Sequence, residues 1–156
     1  GTTFIIYIPD CKEGRKEVKG EARPDTKFSI ADLKVLVVDD EPDICFPLAR
    51  MLSHVGCSKP KATVSPFEAL TFIQVDPPDL IFLDMMMPGI SGEQILERIR
   101  EDKKDISVVF ISGKLDVDED KLMKAGALGF IQKPFGKDAV MQILKQAKEK
   151  KEQSRR

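Results

Sequence analysis

The sequence predicts an α/β domain built on a doubly wound, five-stranded parallel sheet with helices on both faces. From Leu33 onward, short β-rich runs alternate five times with stretches of helical periodicity. Repeated βα units of this size favour a parallel sheet with right-handed crossovers. Three of the five runs are continuously apolar, which is typical of strands buried on both faces.

The predicted strands differ in polarity along the chain. PKATV is the weakest and most polar run, so we expect it at an edge of the sheet. The predicted strands are 34–38, 60–64, 79–83, 107–111 and 128–131.

The predicted helices fill the intervals between these strands. The last one has apolar Ala139, Val140, Ile143, Leu144 and Ala147 at helical spacing, with Lys and Gln elsewhere. The predicted helices are about 42–54, 66–74, 91–101, 117–125 and 137–151.

Both ends of the chain lie outside this repeat. Residues 1–9, GTTFIIYIP, are typical of an edge strand that stops at Pro9. Residues 10–32 are expected to form a charged linker, because their first part carries almost no large apolar side chain. We therefore place the folded domain at 33–151 and a solvated tail at 152–156.

Composition excludes several classes of protein. The formal net charge of −1 gives no bulk attraction to nucleic acid or to an anionic membrane. No apolar run reaches the roughly 20 residues of a membrane span, and no signal peptide is visible. The three cysteines lack metal-type spacing, so we expect reduced thiols in the cytoplasm. His54, the single histidine, is expected on the surface rather than as a ligand.

Polar residues follow four of the five predicted strands. Asp39 and Asp40 follow the first, Asp84 the third and Ser112 the fourth, and Lys133 lies just beyond the fifth. Sites in open α/β sheets form beyond the carboxyl ends of the strands, where the strand order reverses. We therefore expect these five side chains to meet at one edge of the sheet.

This set of residues favours phosphoryl chemistry. Three carboxylates stay ionised together only when a cation neutralises them, and oxygen ligands suit Mg²⁺. A lysine and a serine hydroxyl can contact phosphoryl oxygens. Asp84 is then the natural nucleophile, because a carboxylate can form an acyl phosphate. Such a reaction needs mainly positioning and charge stabilisation.

Each residue also has a purely structural explanation. Asp40 could cap the first helix, with Pro42 near its first position. Ser112 could be a turn residue, Lys133 a solvated cation and Phe130 plain core. The methionines after Asp84 could be flexible packing. The joint placement at strand ends favours the functional interpretation.

Four motifs carry a family resemblance. VVDDEP, LDMMMPGISG, VFISG and FIQKPF resemble the receiver domains of two-component response regulators, over about residues 33–150. The resemblance implies a flavodoxin-like strand order 2-1-3-4-5. It implies that Asp84 is the phosphoacceptor and that Asp39 and Asp40 hold Mg²⁺ with Asp84. The backbone carbonyl of Met86 would be a further metal ligand.

The resemblance also implies a switch. Ser112 would turn toward the phosphoryl group, the Phe130 ring would follow it, and Lys133 would contact a phosphoryl oxygen. The Lys133–Pro134 bond is expected to be cis. Met86 and Lys114 occupy positions that modulate phosphoryl loss in the family. Because an apolar Met86 cannot orient an attacking water, we expect slow self-hydrolysis.

The first nine residues are similar to the end of the ATP-binding domain of sensor histidine kinases, although an ordinary strand or lead segment would read alike. In a hybrid sensor kinase, the end of the kinase domain is followed by a charged linker and then by a receiver domain. We therefore expect a receiver from such a kinase, in the cytoplasm, with a parent protein that can be membrane-associated.

The implied function is transfer of a phosphoryl group from phosphohistidine to Asp84. The expected partners are a sensor kinase, a histidine phosphotransfer protein or both, with no nucleic acid and no membrane contact by this chain. The surface of the fourth helix, fifth strand and fifth helix would respond, and could also form a homodimer. Enzymatic turnover beyond self-phosphorylation and self-dephosphorylation is not implied.

Two other functions compete with this one. The first is a Mg²⁺-dependent phosphohydrolase that forms an aspartyl phosphate, but such enzymes usually carry a second Asp two residues after the nucleophile. Here that position is Met86. The second is a pseudo-receiver, an interaction domain whose site is unused, although all the key residue types are present.

Overall fold

The computed structural model describes residues 29–102, 104–114 and 116–154. The predictions for the strand at 1–9 and for the linker up to residue 28 lie outside the described residues.

The described residues form the predicted parallel sheet. Its order is β2-β1-β3-β4-β5, and every pair of neighbours is parallel. This confirms the predicted fold class and strand order, with the polar β2 at one edge. The strands are β1 (Val35–Val38), β2 (Lys61–Thr63), β3 (Leu80–Asp84), β4 (Ser107–Ser112) and β5 (Gly129–Gln132).

Five helices cover the two faces of this sheet. They are α1 (Pro42–His54), α2 (Pro66–Val75), α3 (Gly92–Glu101), α4 (Glu119–Lys124) and α5 (Lys137–Ser154). Side chains of α1 and α5 pack on one face, and those of α2, α3 and α4 pack on the other. Because helices lie on both faces, the central strands are enclosed, as their continuously apolar sequences predict.

The central strands supply most of the core. Every residue of β1, β3 and β4 is buried. Phe82 points into the α1–α5 layer and Phe110 into the opposite layer, and both are fully buried. Each such side chain stabilises the fold by about 1.5–3 kcal/mol. This packing fixes the strands, so the polar residues at their ends have little freedom to move.

Two domain boundaries differ from the prediction. A 3-10 turn at Ile30–Asp32 is ordered where linker was expected, because Ile30 packs against the core and the Ser29 amide donates to Asp32 Oδ2 at 2.8 Å. Helix α5 continues to Ser154 into the expected tail. Just before the tail, Lys151 Nζ pairs with Asp79 Oδ1 at 2.8 Å.

Helix α4 is shorter than predicted. Asp118 caps it by accepting a hydrogen bond from the Lys121 amide, and the chain leaves the helix at Ala125 before Gly126. The predicted helix at 117–125 is therefore reduced to Glu119–Lys124 by its own capping residues.

Two further predictions concern thiols and membranes. Cys45 and Cys57 are free and buried, and burial raises the pKa of Cys57 to about 11. Within the described ranges, no helix combines the length and the apolar character that a membrane span requires.

Candidate functional site

Three aspartates meet at the carboxyl edge of the sheet. Asp39 and Asp40 follow β1, and Asp84 ends the neighbouring β3. One carboxylate oxygen from each lies within 4.8 Å of the other two. Strand order reverses here, because β2 and β3 lie on opposite sides of β1. The predicted convergence of these aspartates is therefore observed.

Asp39 is the most enclosed of the three. Its side chain is 0% exposed, and its Oδ1 accepts a hydrogen bond of 2.9 Å from the Glu41 amide. Its buried Oδ2 has no hydrogen-bond partner among the described residues. Lys133 Nζ lies 3.0 Å from this oxygen as an ion-pair partner. A buried carboxylate oxygen without a hydrogen bond is costly unless a cation is near.

Lys133 is shared among several carboxylates. Its Nζ lies 3.0 Å from Asp39 Oδ2, 3.1 Å from Glu41 Oε1 and 3.6 Å from Asp84 Oδ1. Burial works to lower the pKa of the ammonium, but the neighbouring carboxylates outweigh it and raise that pKa. Lys133 is therefore a fixed positive charge, and its backbone N–H also donates to the Ser112 carbonyl at 2.7 Å.

Asp84 has a perturbed acidity. Burial and then the nearby charge of Asp39 raise its pKa to about 7, although Lys133 opposes this change. Asp40 adds to the rise. A carboxyl group whose pKa is raised to near neutral by burial and by like charges is a marker of a functional site.

These residues fit a divalent cation. Three convergent carboxylates supply hard oxygen ligands, which Mg²⁺ prefers. One of their oxygens, Asp39 Oδ2, is buried without a hydrogen bond and has the Lys133 ammonium as its ion-pair partner. Asp40 and Asp84 line a cavity of about 360 Å³ that leaves room for water, whereas Asp39 is buried. It is lined by Asp40, Glu41, Asp84, Met86, Ser112, Gly113, Lys114 and Lys133.

Ser112 lines this cavity, and Phe130 lies on the neighbouring strand β5. Ser112 is buried, and its Oγ accepts a hydrogen bond of 3.0 Å from the Lys114 amide. Phe130 is half-buried and packs against the α2–α4 layer. A Cβ built on Gly113 would meet no atom within 4 Å. The space beside the Gly113 backbone is therefore open.

The three methionines after Asp84 do different things. Met85 and Met87 pack against the core, as the structural explanation requires. Met86 is 60% exposed and lines the cavity. The following Pro-Gly turn places Gly89 at φ +90°, a conformation that glycine adopts at low cost.

Two residues were missed by the sequence reasoning. Glu41 was read only as part of a helix start, yet it contacts Lys133; its place in VVDDEP was the available signal. Gly92 begins α3 so close to β3 that a Cβ would lie 2.5 Å from the Asp84 carbonyl oxygen. Spacing along the sequence carries no signal for such an approach. The close packing of Gly92 against the Asp84 backbone nevertheless helps to hold Asp84 in place.

The structure also decides two smaller points. Glu41, not Asp40, is the N-cap residue of α1, so the capping explanation of Asp40 is wrong, while Pro42 does begin the helix. The Lys133–Pro134 peptide bond is cis, as expected.

Solved structures share this architecture. The receiver domain of NtrX from Brucella abortus is 33% identical with a TM-score of 0.69, covering 74% of this chain and 98% of that one. A response regulator receiver domain protein from Clostridium thermocellum is 28% identical with a TM-score of 0.71, covering 77% and 97%. The fold and the acidic edge thus define the class of receiver-like domains.

Sequence comparison identifies the family. Residues 35–145 match the family model of the response regulator receiver domain. Sporulation initiation phosphotransferase F of Bacillus subtilis is 32% identical over 114 residues, covering 72% of this chain and 90% of that protein. The chain therefore belongs to the response regulator receiver family.

Other relatives are longer proteins. The nitrogen assimilation regulatory protein NtrX of Azorhizobium caulinodans is 36% identical over 118 residues, which are 74% of this chain but 26% of that protein. The C4-dicarboxylate transport regulator DctD of Pseudomonas aeruginosa is likewise matched over 26% of its length. The chain spans about a quarter of these relatives.

Proposed function

We propose that Asp84 accepts a phosphoryl group from a phosphohistidine of a partner protein. The observation that carries this proposal is the clustering of Asp39, Asp40 and Asp84 within 4.8 Å, with Lys133 Nζ 3.6 Å from Asp84 Oδ1. Asp39, Asp40, Asp84 and the backbone carbonyl of Met86 would hold Mg²⁺. The bound ion would neutralise carboxylate and phosphoryl charge together.

The transfer is a single displacement at phosphorus. A carboxylate oxygen of Asp84 attacks, the P–N bond to the donor imidazole breaks, and the electron pair stays on that nitrogen. Asp84 becomes an acyl phosphate, and the released imidazole nitrogen takes a proton when one is needed. Lys133 is close enough to turn from Asp84 toward a phosphoryl oxygen. Its positive charge stabilises the transferring group.

The same site would report its state to a protein surface. Ser112 Oγ would leave the Lys114 amide and donate to a phosphoryl oxygen, and the Phe130 ring would move inward behind it. The surface formed by α4, β5 and α5 would then change, biasing an existing two-state equilibrium. That surface would bind a partner or a second copy of the domain.

The partners follow from the family. Receiver domains interact with kinases and phosphotransfer proteins. We propose a sensor kinase as donor, or a histidine phosphotransfer protein as donor or acceptor. The resemblance of residues 1–9 to the end of a kinase ATP-binding domain supports a hybrid kinase as the parent protein, acting in the cytoplasm. Residues 10–32 would link the two parts.

Phosphoryl uptake tests the proposal directly. After incubation with a small acyl phosphate and Mg²⁺, we expect the intact mass to rise by one phosphoryl group. A chelator should prevent the change, because the carboxylate cluster then repels the incoming anion. Uptake that is equal with and without the metal, or release of many phosphates per chain, would contradict it.

We expect Ser112 and Phe130 to move together. On adding a phosphoryl mimic with Mg²⁺, NMR signals of the Ser112 side chain and the Phe130 ring should shift in parallel. In Ser112→Ala the Phe130 shift should be lost, since no hydroxyl remains to follow the phosphoryl group. Ser91→Ala, a helix-cap change outside the cavity, is the control. An unaltered Phe130 shift in Ser112→Ala would show that the two are not coupled.

We expect a long phosphoryl lifetime that Met86→Asn shortens. The thioether of Met86 lines the cavity and cannot orient water, whereas an amide can donate to and accept from one. One such hydrogen bond should speed hydrolysis roughly three- to tenfold. The check is the decay of phosphorylated protein after the donor is removed. Equal lifetimes would end this explanation.

A further inference from the structure

Met86 is the most exposed methionine of the chain, and Met123 is nearly as exposed. Met86 is 60% exposed, and Met123 on α4 is 51% exposed, whereas Met87 is only 9% exposed. The remaining three are half-buried: Met51, Met85 and Met141. Exposure controls how fast a thioether meets a dissolved oxidant. Two of the chain's methionines are therefore open to oxidation, and only one lies at the site.

The position of Met86 connects its chemistry to that of Asp84. Its side chain lines the cavity onto which Asp84, Lys133 and Ser112 open. A phosphoryl group on Asp84 would occupy this same cavity. Met86 is the large apolar side chain among the residues that line it. A change in its polarity would act directly on water beside the phosphoryl group.

We propose that Met86 is a redox-modification site whose oxidation shortens the lifetime of the phosphorylated domain. The oxidant is a hydroperoxide. A sulfur lone pair of Met86 attacks the peroxide oxygen, the O–O bond breaks, and an S–O bond forms. Sulfur loses two electrons, the peroxide gains them, and the second oxygen leaves as water or an alcohol. This inference rests on the proposed phosphoacceptor role of Asp84.

The sulfoxide changes what the cavity wall can do. A thioether is a weak acceptor, but a sulfoxide oxygen is polar and accepts a strong hydrogen bond. It can therefore hold a water beside the phosphoryl group. That water attacks phosphorus, the P–O bond to Asp84 breaks, the carboxylate leaves with the electron pair, and a proton passes to solvent. The products are free Asp84 and inorganic phosphate.

The thiols of the chain need a control of their own. Cys45 and Cys57 are buried, and burial raises the pKa of both, so little reactive thiolate forms. Cys11 lies outside the described residues. The experiment is therefore done with Cys11→Ser protein. After the oxidant is removed, a thiol reductant is added to reverse any oxidation of the remaining cysteines.

The first measurement is the oxidation itself, in metal-free protein. After treatment with hydrogen peroxide, peptide mass spectrometry should find sulfoxide at Met86 and Met123 well before Met87. Met86 that oxidises as slowly as Met87 would overturn the proposal. This readout does not depend on phosphorylation.

The second measurement is the phosphoryl lifetime of treated protein. We expect oxidation to shorten it roughly three- to tenfold, as one added hydrogen bond would. Met123→Leu should keep this response, whereas Met86→Leu should lose it, because Leu keeps an apolar side chain of similar size without sulfur. Met86→Gln should mimic the oxidised state, and a methionine sulfoxide reductase should restore the long lifetime.

Two failures can be told apart. If untreated protein takes up no phosphoryl group, the phosphoacceptor role and this inference fall together. If it is phosphorylated and its lifetime is unchanged once Met86 is fully oxidised, only this inference is overturned. A response that persists in Met86→Leu would also overturn it.

Discussion

Asp84→Asn is expected to abolish phosphoryl uptake and, at the same time, to make the metal-free protein more stable. Uptake stops because an amide cannot attack phosphorus to form the acyl phosphate. Stability rises because burial and the charge of Asp39 disfavour the ionised Asp84 carboxylate in the folded state. Asn removes that charge from the site at nearly constant volume.

The gain in stability should depend on pH in a defined direction. The pKa of Asp84 rises from 3.8 to about 7 on folding, so ionisation opposes folding fully above pH 7. The penalty fades as pH falls from 7 toward 4 and is lost below pH 3.8, where the carboxyl becomes protonated in the unfolded state as well. We expect the free energy of unfolding of Asp84→Asn to exceed that of the wild type by up to about 4 kcal/mol at pH 8.

Denaturant unfolding at pH 8 and pH 5 with a chelator measures this difference. Asp105→Asn is the matched control, because it removes one exposed carboxylate at the opposite edge of the sheet. Adding Mg²⁺ should stabilise wild type more than Asp84→Asn, since the variant lacks one ligand. A variant that is less stable than wild type at pH 8, or that still takes up phosphoryl, would refute the assignment.

Lys133→Met is expected to slow phosphoryl uptake by about 100-fold or more and to destabilise the metal-free protein. The slowing follows from the loss of a positioned charge beside the transferring group. The destabilisation follows because Asp39, 0% exposed, loses its ion-pair partner at 3.0 Å. Removing one member of a buried pair typically costs about 3–5 kcal/mol.

Three comparisons separate these effects. Lys137→Met removes an exposed lysine at the start of α5 and should change neither property. Lys133→Arg keeps the positive charge but replaces a compact ammonium with a planar guanidinium. We therefore expect Lys133→Arg to retain more of the wild-type stability than of the wild-type uptake rate. Mg²⁺ should restore part of the stability of Lys133→Met. Stopped-flow uptake and thermal unfolding are the measurements, and an unchanged uptake rate in Lys133→Met would exclude its proposed role.

The sheet could be predicted because its strands are apolar on both faces. DLIFL and SVVFI allow few other placements in a chain of this length, and the polar KAT of β2 fits only an edge. The first and last elements of the described residues were harder to predict, because they depend on contacts between residues that are distant in sequence. Ile30 packs on a core formed later in the chain, and Lys151 reaches Asp79.

The candidate site was predictable in its residue types more than in its contacts. Strand ends predicted that Asp39, Asp84 and Lys133 meet, because parallel strands end at one edge. The Glu41–Lys133 contact joins residues 92 positions apart and depends on side-chain conformation. The need for Gly92 arises from a 2.5 Å approach that only coordinates reveal.

The backbone link between Lys133 and Ser112 limits how this domain can respond to a signal. The Lys133 amide donates a hydrogen bond of 2.7 Å to the Ser112 carbonyl, whereas Ser112 Oγ accepts one from the Lys114 amide in the following loop. Rotation of that hydroxyl therefore leaves the strand pairing intact. In the proposed switch, side-chain rotamers alone would therefore carry information out of the site, and the framework would not need to deform.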